Sequence, residues 1–585
     1  MAPILGVWLG LANPSGTSGP FVERDVAVMM RDHVRLRADV LRPAESGRFP
    51  TLLYRTPYDR RRMEDNRVVR AALARGYAVV LQDVRGRYGS EGEFVPYVHE
   101  GRDGYDTIEW AAAQPWSNGE IGTFGLSYPG AVQWLAAVES PPHLKAMAPA
   151  MTFSTPRNFF YAGGAWDLSW IPWIWNNIAP EARARRGLAG PRRGREAEVE
   201  WQRLRSVLPY RLPLTNLPEL EKVAPYYFVW LAHRPGEAFW DWAELSGRYE
   251  RVGAAVLNLS GWHDETYGPE GAITNFLGLL AARRDRKDPR IQLLLGPWVH
   301  GGEDSEKSGE RVFGPQARLD YAAIILRFMD RYVRDLPNGL EREPRVRAFV
   351  MGENAWLTGE TIPLAGTRPL SLYLARNGAL SPTSPAEASA SSTFVSDPAR
   401  PVVDPFSAEP GAHDYRALAR RDDVLVFETG PLAEELRAVG PVDIEIFLST
   451  DAPDVDLWVK LEDVTPDGTA WNLSSPGTDV LRASEREGGR QTRPLEAGRV
   501  YALRFPNLRT GNLFGRGHRV RVVLCGSFMP HFSRNLQTGE SESRSARSRP
   551  ATIRIHHEVA HPSRIVLPVV SSGARSDVPR AREVP

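Results

Sequence analysis

The stretch Ile121-Gly122-Thr123-Phe124-Gly125-Leu126-Ser127-Tyr128-Pro129-Gly130 restricts the fold of this chain more than any other. A short apolar run ends at Gly125, one serine follows, and Pro129 opens a helical pattern through Ala131, Val132, Trp134, Leu135 and Val138. Strand, tight turn, helix is the setting of a nucleophile elbow, in which the turn lifts a serine hydroxyl above the end of a sheet. Glycines on both sides allow positive φ and close approach of strand to helix. The N–H of Tyr128, at the helix N-terminus, would then face a developing oxyanion. Two features argue for the plainer reading of Ser127 as a helix cap. A G-x-S tripeptide is common, and the spacing here is G-x-S-x-x-G, with Pro129 where the second glycine of the usual motif stands. Support for Ser127 must come from elsewhere in the chain.

Around this elbow the pattern is α/β. Val26, Val28 and Met30, then Val34, Leu36, Ala38 and Val40, alternate on either side of Arg31-Asp32-His33 and predict a hairpin. Buried-strand runs at Thr51–Tyr54 and Tyr77–Leu81 flank a helical stretch near Val68–Arg75, and another helix near Tyr105–Ala113 precedes the Ile121 strand. The alternation implies a parallel, doubly wound sheet, whose active sites gather at the carboxyl ends of strands. It resumes with a strand at Ala255–Leu259, a helix at Gly271–Ala282, a strand at Ile291–Leu295 and a helix at Ala317–Val333.

Between these halves, about 151–250, β alternation disappears and Trp166, Trp170, Trp173 and Trp175 crowd one segment, which predicts an inserted helical cap. Trp166 and Trp170 are candidate walls of a substrate pocket, with packing against the main domain as the alternative. The arginine-rich run Arg183–Arg195 is flanked by Glu181, Glu196, Glu198 and Glu200 and has no interleaved aromatics, so it reads as a solvated helix face and not a nucleic-acid surface. From about 348 onward, short alternating strands with Gly/Pro turns predict a β-sandwich of the jelly-roll kind. The expected domains are therefore 1–150 with 251–347, 151–250, and 348–585, in a chain of 585 residues, too long for one core. The tail after Val570 shows no packing pattern.

A serine nucleophile needs a base and an acid to hold that base. In α/β-hydrolases the chain order is Ser, acid, His. Two loops downstream of Ser127 directly follow predicted strands: Ser260-Gly261-Trp262-His263-Asp264 and Gly296-Pro297-Trp298-Val299-His300. Asp264 and His300 thus stand in the right order, each at a strand's carboxyl end.

Composition excludes several rivals. A net charge of +1 selects neither nucleic acid nor membrane. One cysteine, Cys525, rules out an intrachain disulfide. No H-E-x-x-H and no cysteine pair is present, and the neighbours His556 and His557 would point to opposite faces of a strand, so no metal or cofactor is expected. Arg85–Gly92 lacks a P-loop lysine and reads as a structural loop beside the site. The apolar N-terminus has no basic n-region and no apolar run reaches the length of about 20 residues that spans a bilayer, so a cytoplasmic protein is expected, with secretion left open.

The chain resembles the cocaine esterase-like (CocE/NonD) serine hydrolases at Arg55–Asp59, Asp83–Gly86, Asp103–Thr107, Gln114–Gly119, Gly125–Gly130, Gly261–Asp264 and Gly296–His300, and in the last domain at Asp423–Phe427 and His561-Pro562-Ser563. The resemblance extends over nearly the whole chain from Val26, and the family's G-x-S-Y-x-G elbow accounts for the displaced glycine. It implies an α/β-hydrolase domain, an inserted helical cap and a C-terminal jelly roll. It further implies Ser127 as nucleophile, His300 as base, Asp264 as orienting acid, and an oxyanion hole formed by the Tyr58 hydroxyl and the Tyr128 N–H. His33 stands where a hairpin glycine is usual, and His263 where an aromatic precedes the acid, which makes His263 a candidate for the pocket wall. The related α-amino acid ester hydrolases carry two acidic residues just after the acid; Thr266 and Tyr267 stand there, so Tyr267 joins the candidate pocket and an uncharged acyl group is expected.

The expected activity is hydrolysis of carboxylic esters, or of related amides, through an acyl-enzyme, on a small-molecule substrate and without nucleic-acid or membrane partners; homo-oligomers are left open. The alternatives are an Xaa-Pro dipeptidyl peptidase or α-amino acid ester hydrolase, and a non-catalytic binding protein on a hydrolase scaffold.

Overall fold

His33 takes φ 65°, the left-handed conformation that glycine favours, at the turn between two antiparallel strands, β1 (Phe21–Met29) and β2 (Arg35–Arg42). A computed structural model describes residues 19–156, 159–264, 268–283, 290–474, 480–488, 491–505 and 507–571. After the hairpin the chain alternates β3 (Phe49–Thr56), α1 (Arg67–Ala74), β4 (Ala78–Asp83), α2 (Glu100–Ala112), β5 (Ser117–Leu126), α3 (Tyr128–Ala137) and β6 (Leu144–Ala150).

The inserted segment follows. It opens with a small hairpin, β7 (Tyr161–Ala162) and β8 (Ala165–Trp166), and continues through α4 (Trp170–Trp173), a π turn at Ile174–Ile178, α5 (Ala179–Arg186), α6 (Gly194–Leu204), α7 (Pro218–Glu221) and α8 (Pro225–Leu231). The β7–β8 hairpin escaped the sequence reading because it is too short to alternate. Arg185, Arg186, Arg192, Arg193 and Arg195 are exposed, and Arg183 alone among the arginines of this run departs from the solvated-face reading: its guanidinium lies over Trp175 at 4.4 Å and is buried, and burial pushes its pKa down.

The α/β alternation then returns with β9 (Ala255–Gly261), α9 (Gly268–Ala282), β10 (Ile291–Gly296), a two-residue ribbon β11 (Lys307–Ser308) and β12 (Arg311–Val312), α10 (Tyr321–Tyr332), β13 (Val346–Val350) and β14 (Ala355–Gly359). The main sheet has the order β1-β2-β4-β3-β5-β6-β9-β10-β13-β14. From β4 to β13 every neighbouring pair is parallel; β1, β2 and β14 join antiparallel at the edges. Every residue of β4 and β9 is buried, as strands covered by helices on both faces must be.

The domain boundary expected at 347 falls inside β13 and is corrected: the sheet runs on to Gly359. A β hairpin at the end of an α/β sheet reads in sequence like the start of the next, all-β region. The remaining strands form a second, almost wholly antiparallel sheet system between Arg368 and Val569. The two sheets meet where the Met351 N–H donates to Gly511 O and the Leu513 N–H to Met351 O, both 2.8 Å. Gly511 is required there, because a Cβ would lie 2.5 Å from the Trp262 ring. No helix among the described residues is long and apolar enough to cross a membrane.

Candidate active site

Ser127 joins β5 to α3 in a backbone conformation of φ 67° and ψ −126°, one that costs a non-glycine residue about 1–3 kcal/mol. The surroundings hold it there. Its N–H donates to Ala150 O at 3.0 Å on the neighbouring strand, and its carbonyl accepts from Gly130 N (2.8 Å) and Ala131 N (2.9 Å). A Cβ on Gly125 would come 2.5 Å from Pro129 Cβ, and one on Gly130 would come 2.7 Å from Ala150 O. The close contact that requires a second glycine is therefore made by Gly130, which leaves room for Pro129 in the first helical turn. Buried Gln133 braces the same turn: its Nε2 donates to Gly125 O (3.2 Å) and Pro129 O (2.9 Å), and its Oε1 accepts from Ala148 N and the Thr123 hydroxyl, both 3.1 Å. A glutamine inside an apolar helix was the overlooked signal for this brace.

Parallel pairing of β9 with β10, with Gly261 opposite Gly296, delivers the next two loops to one edge of the sheet. Gly261 has no space for a Cβ, which would sit 2.2 Å from Trp298 O, so the two turns pack backbone to backbone. The product is a His–Asp pair: His300 Nδ1 lies 2.7 Å from Asp264 Oδ1. The Ser260 hydroxyl donates to Asp264 Oδ2 at 2.8 Å, so both oxygens of this fully buried carboxylate are bonded. Ser127 and His300 both line one cavity of about 720 Å³.

Two groups flank Ser127. The Tyr58 hydroxyl lies close to it and accepts from Trp173 Nε1 at 2.8 Å. Burial pushes the phenol up to about 12, against the opposing pull of Trp173, Arg87 and Ser127, so the group is a neutral donor at physiological pH. The Tyr128 N–H opens α3, where no carbonyl within the helix can accept it. The Tyr128 ring is pinned by its hydroxyl, which donates to Glu100 Oε1 at 2.8 Å, and by stacking on Tyr97 at 4.3 Å. Glu100 in turn pairs with Arg55 at 2.9 Å. Arg55 and Tyr58, three residues apart on one strand end, thus support both sides of the serine turn. The Arg85–Gly92 loop anchors the cap: the buried Arg87 guanidinium bonds Pro57 O (2.9 Å) and the carbonyls of Asn177 and Ile178 (both 3.2 Å).

The cavity wall departs from the expectation. Trp170 lines it, stacked on Phe160 at 4.8 Å. Trp166 does not: it is buried between Tyr161 and Tyr227, and its backbone N–H donates to the Ser533 hydroxyl of the second domain at 3.0 Å. Nor does His263, whose fully buried ring faces Pro297 O at 3.1 Å and Asn472 O at 3.3 Å. Adjacent turn residues point in opposite directions, and Asp264 takes the inward one. Tyr267 lies outside the described residues, as do Glu265 and Thr266.

Sequence reasoning missed the site roles of Trp173 and Trp201 from the cap and of the 404–411 segment, with Phe406, from the second domain. Asp167 lines the cavity, buried, with Oδ1 accepting from Ser169 N at 2.7 Å. Asp404 also lines it, bonded through Oδ2 to His531 Nε2 (2.6 Å) and through Oδ1 to the Tyr415 hydroxyl (2.9 Å). Burial raises the Asp404 carboxyl, but the hydrogen bond and charge of His531, the charge of Lys460 and the Phe406 N–H together outweigh it and hold the group below its ordinary range.

Comparison with known proteins shows the family of the chain. The family model described as X-Pro dipeptidyl-peptidase (S15 family) matches residues 32–302, and the X-Pro dipeptidyl-peptidase C-terminal non-catalytic domain matches 338–566. The chain is 32% identical over 589 residues to the cocaine esterase of Rhodococcus sp. (strain MB1 Bresler), covering 94% of this chain and 98% of that one. Two solved structures superpose with a TM-score of 0.81 at 26% identity, each covering 96% of this chain and 98% of its own: an aminopeptidase from the marine sediment archaeon Thaumarchaeota archaeon and an α-amino acid ester hydrolase. By its sequence, from the serine turn to the antiparallel second domain, the chain belongs to the cocaine esterase-like (CocE/NonD) family of serine hydrolases.

Proposed function

We propose that this enzyme hydrolyses carboxylic esters through an acyl-enzyme formed on Ser127. The carrying observation is the 2.7 Å bond from His300 Nδ1 to Asp264, made by a histidine that shares one cavity with Ser127. Asp264 fixes the imidazole tautomer with its proton on Nδ1, so that Nε2 takes the Ser127 proton as Oγ attacks the acyl carbon. The tetrahedral oxyanion accepts from the Tyr58 hydroxyl and the Tyr128 N–H. Collapse expels the alcohol, which leaves with the proton held by His300, and a water activated by the same nitrogen releases the acid. Ring faces from Trp170, Trp173 and Phe406 favour an acyl group with apolar surface. A fluorophosphonate tests the reading: it should add once, to Ser127, and labelling of a Ser127→Ala variant to the same extent would refute it.

A second reading is supported by Asp167. A carboxylate buried in the cavity wall is the partner a substrate ammonium needs, and an α-amino acid ester hydrolase and an aminopeptidase share the fold at 26% identity. Under this reading the acyl group carries a free α-amine, and esters or peptides with a free N-terminus are the substrates.

A further inference from the structure

Three side chains with metal-ligand chemistry converge on one hairpin of the second domain, away from the catalytic cavity. The strand Ala551–Glu558 pairs antiparallel with His561–Pro562, which sets Glu558 directly opposite His561. His556 and Glu558, two apart on the strand, share a face. His557 between them points the other way, and its Nε2 contacts the Ser392 hydroxyl at 3.1 Å. The opposite facing of His556 and His557 argued against a metal in the sequence. It leaves His556 free to join partners from across the turn.

The geometry is that of three ligand atoms around one point. His561 Nδ1 is 2.7 Å and His556 Nδ1 3.4 Å from the same oxygen, Glu558 Oε1, and one ligand atom from each residue lies within 4.8 Å of the others. Four-coordinate zinc, with bonds of about 2.0–2.2 Å, separates its ligand atoms by about 3.3 Å. The Glu558 and His556 side chains are 9% and 14% exposed and His561 is 34% exposed, so the cluster is walled on the protein side and open to solvent on the other. One imidazole suffices to pair a carboxylate; here two aim the same nitrogen at one oxygen. The far nitrogen of His556 is oriented as ligating histidines usually are, with Nε2 2.9 Å from the Ser449 hydroxyl.

We propose that His556, Glu558 and His561 bind a divalent transition-metal ion of the zinc type, with water completing its coordination. Two imidazoles and one carboxylate suit that class, whereas calcium and magnesium ask for oxygen ligands throughout. The ion would fasten Ala551–Glu558 to His561–Pro562. None of the three residues lines the catalytic cavity, so ester hydrolysis does not depend on the site.

The test uses the full-length, untagged protein, stripped with a chelator and titrated with Co²⁺ and then Zn²⁺ as chloride salts. One equivalent of Co²⁺ should bind with visible d–d absorption, Zn²⁺ should displace it, and saturating Zn²⁺ should raise Tm. Glu558→Gln and His561→Asn should each weaken Zn²⁺ binding more than about tenfold, and Ser449→Ala, which keeps all three ligands, by about tenfold. Ester turnover should be unchanged in every variant. If His561→Asn does not fold, Glu558→Gln and Ser449→Ala decide the question. Failure of the wild type to bind one equivalent, or equal affinity in wild type and Glu558→Gln, overturns the site.

Discussion

Trp173 Nε1 donates a 2.8 Å hydrogen bond to the Tyr58 hydroxyl oxygen. A phenol has one proton to give, and an indole N–H can only donate. With its oxygen receiving from Trp173, the Tyr58 O–H is turned away from the indole, and Ser127 is among the groups close to the hydroxyl. A cap residue therefore aims an oxyanion donor that belongs to the sheet.

Tyr58→Phe should lower kcat about 10²–10³-fold with little change in KM. Trp173→Phe leaves the donor in place but unaimed and should cost about tenfold, the worth of one hydrogen bond near 1.4 kcal/mol. Because both losses act through one proton, adding Trp173→Phe to Tyr58→Phe should lower kcat no further. A full additional tenfold loss in the double variant would show that Trp173 acts by another route.

Ser127→Ala should remove turnover, with a fall approaching the factor of about 10⁶ seen when a triad nucleophile is lost. The strained φ of 67° adds a stability prediction. Ser127→Gly should melt higher than Ser127→Ala, by a stabilisation of about 1 kcal/mol, because glycine adopts that conformation without a Cβ penalty. Equal melting temperatures would show that the turn carries no strain.

Substrate charge separates the two functional readings. On matched p-nitrophenyl esters with and without an α-amino group, kcat/KM should be higher for the neutral ester. A preference of about tenfold or more for the amino ester, 1.4 kcal/mol, would select the second reading. Asp167→Asn then identifies the group responsible, since it should abolish that preference and leave the neutral ester's kcat in place.

His263 gives a pH dependence of known sign. Burial, against the lesser pull of the Pro297 and Asn472 carbonyls, brings its pKa from the ordinary 6.5 down to about 4. The unfolded chain thus takes up a proton at a pH where the folded one does not. The stabilisation is complete above about pH 6.5 and is lost as pH falls toward about 4. Between about pH 7 and pH 5 the loss attributable to His263 is about 2 kcal/mol. Thermal melts of wild type and His263→Phe at both values check it, the wild type falling further. Parallel melting curves would assign the acid sensitivity elsewhere.

The elbow was legible because its constraints are local. Gly125, Ser127 and Gly130 are required by a single turn, so their spacing carries the geometry with it. Asp264 and His300 were legible for a related reason: each directly follows a strand, and parallel strands bring their carboxyl ends to one edge. Trp166 and His263 misled because neighbourhood along the chain says nothing of direction. Each is next in sequence to a cavity-lining or catalytic group, Asp167 or Asp264, yet is turned toward the second domain. The 404–411 segment carried no signal at all. Rich in proline and glycine, it reads as a connection, and its value depends on sharing a cavity with a serine far earlier in the chain. His556, Glu558 and His561 were hidden because the argument about strand faces stopped at His557 and did not follow the chain around the turn.

The second domain's contribution to the cavity wall separates what is inherited from what can drift. The reacting groups are locked into the parallel sheet, where almost any change collides with a neighbouring backbone. Phe406 and its exposed neighbours at 405 and 407–410 sit on a loop free of such collisions, held at its two ends by buried Asp404 and by Gly411, where a Cβ would lie 2.3 Å from Gly309 N. Lineages can therefore exchange one acyl preference for another by editing a few codons of that loop, while the apparatus of bond cleavage passes unaltered from ancestor to descendant. Laboratory libraries confined to positions 405–410 follow the same route.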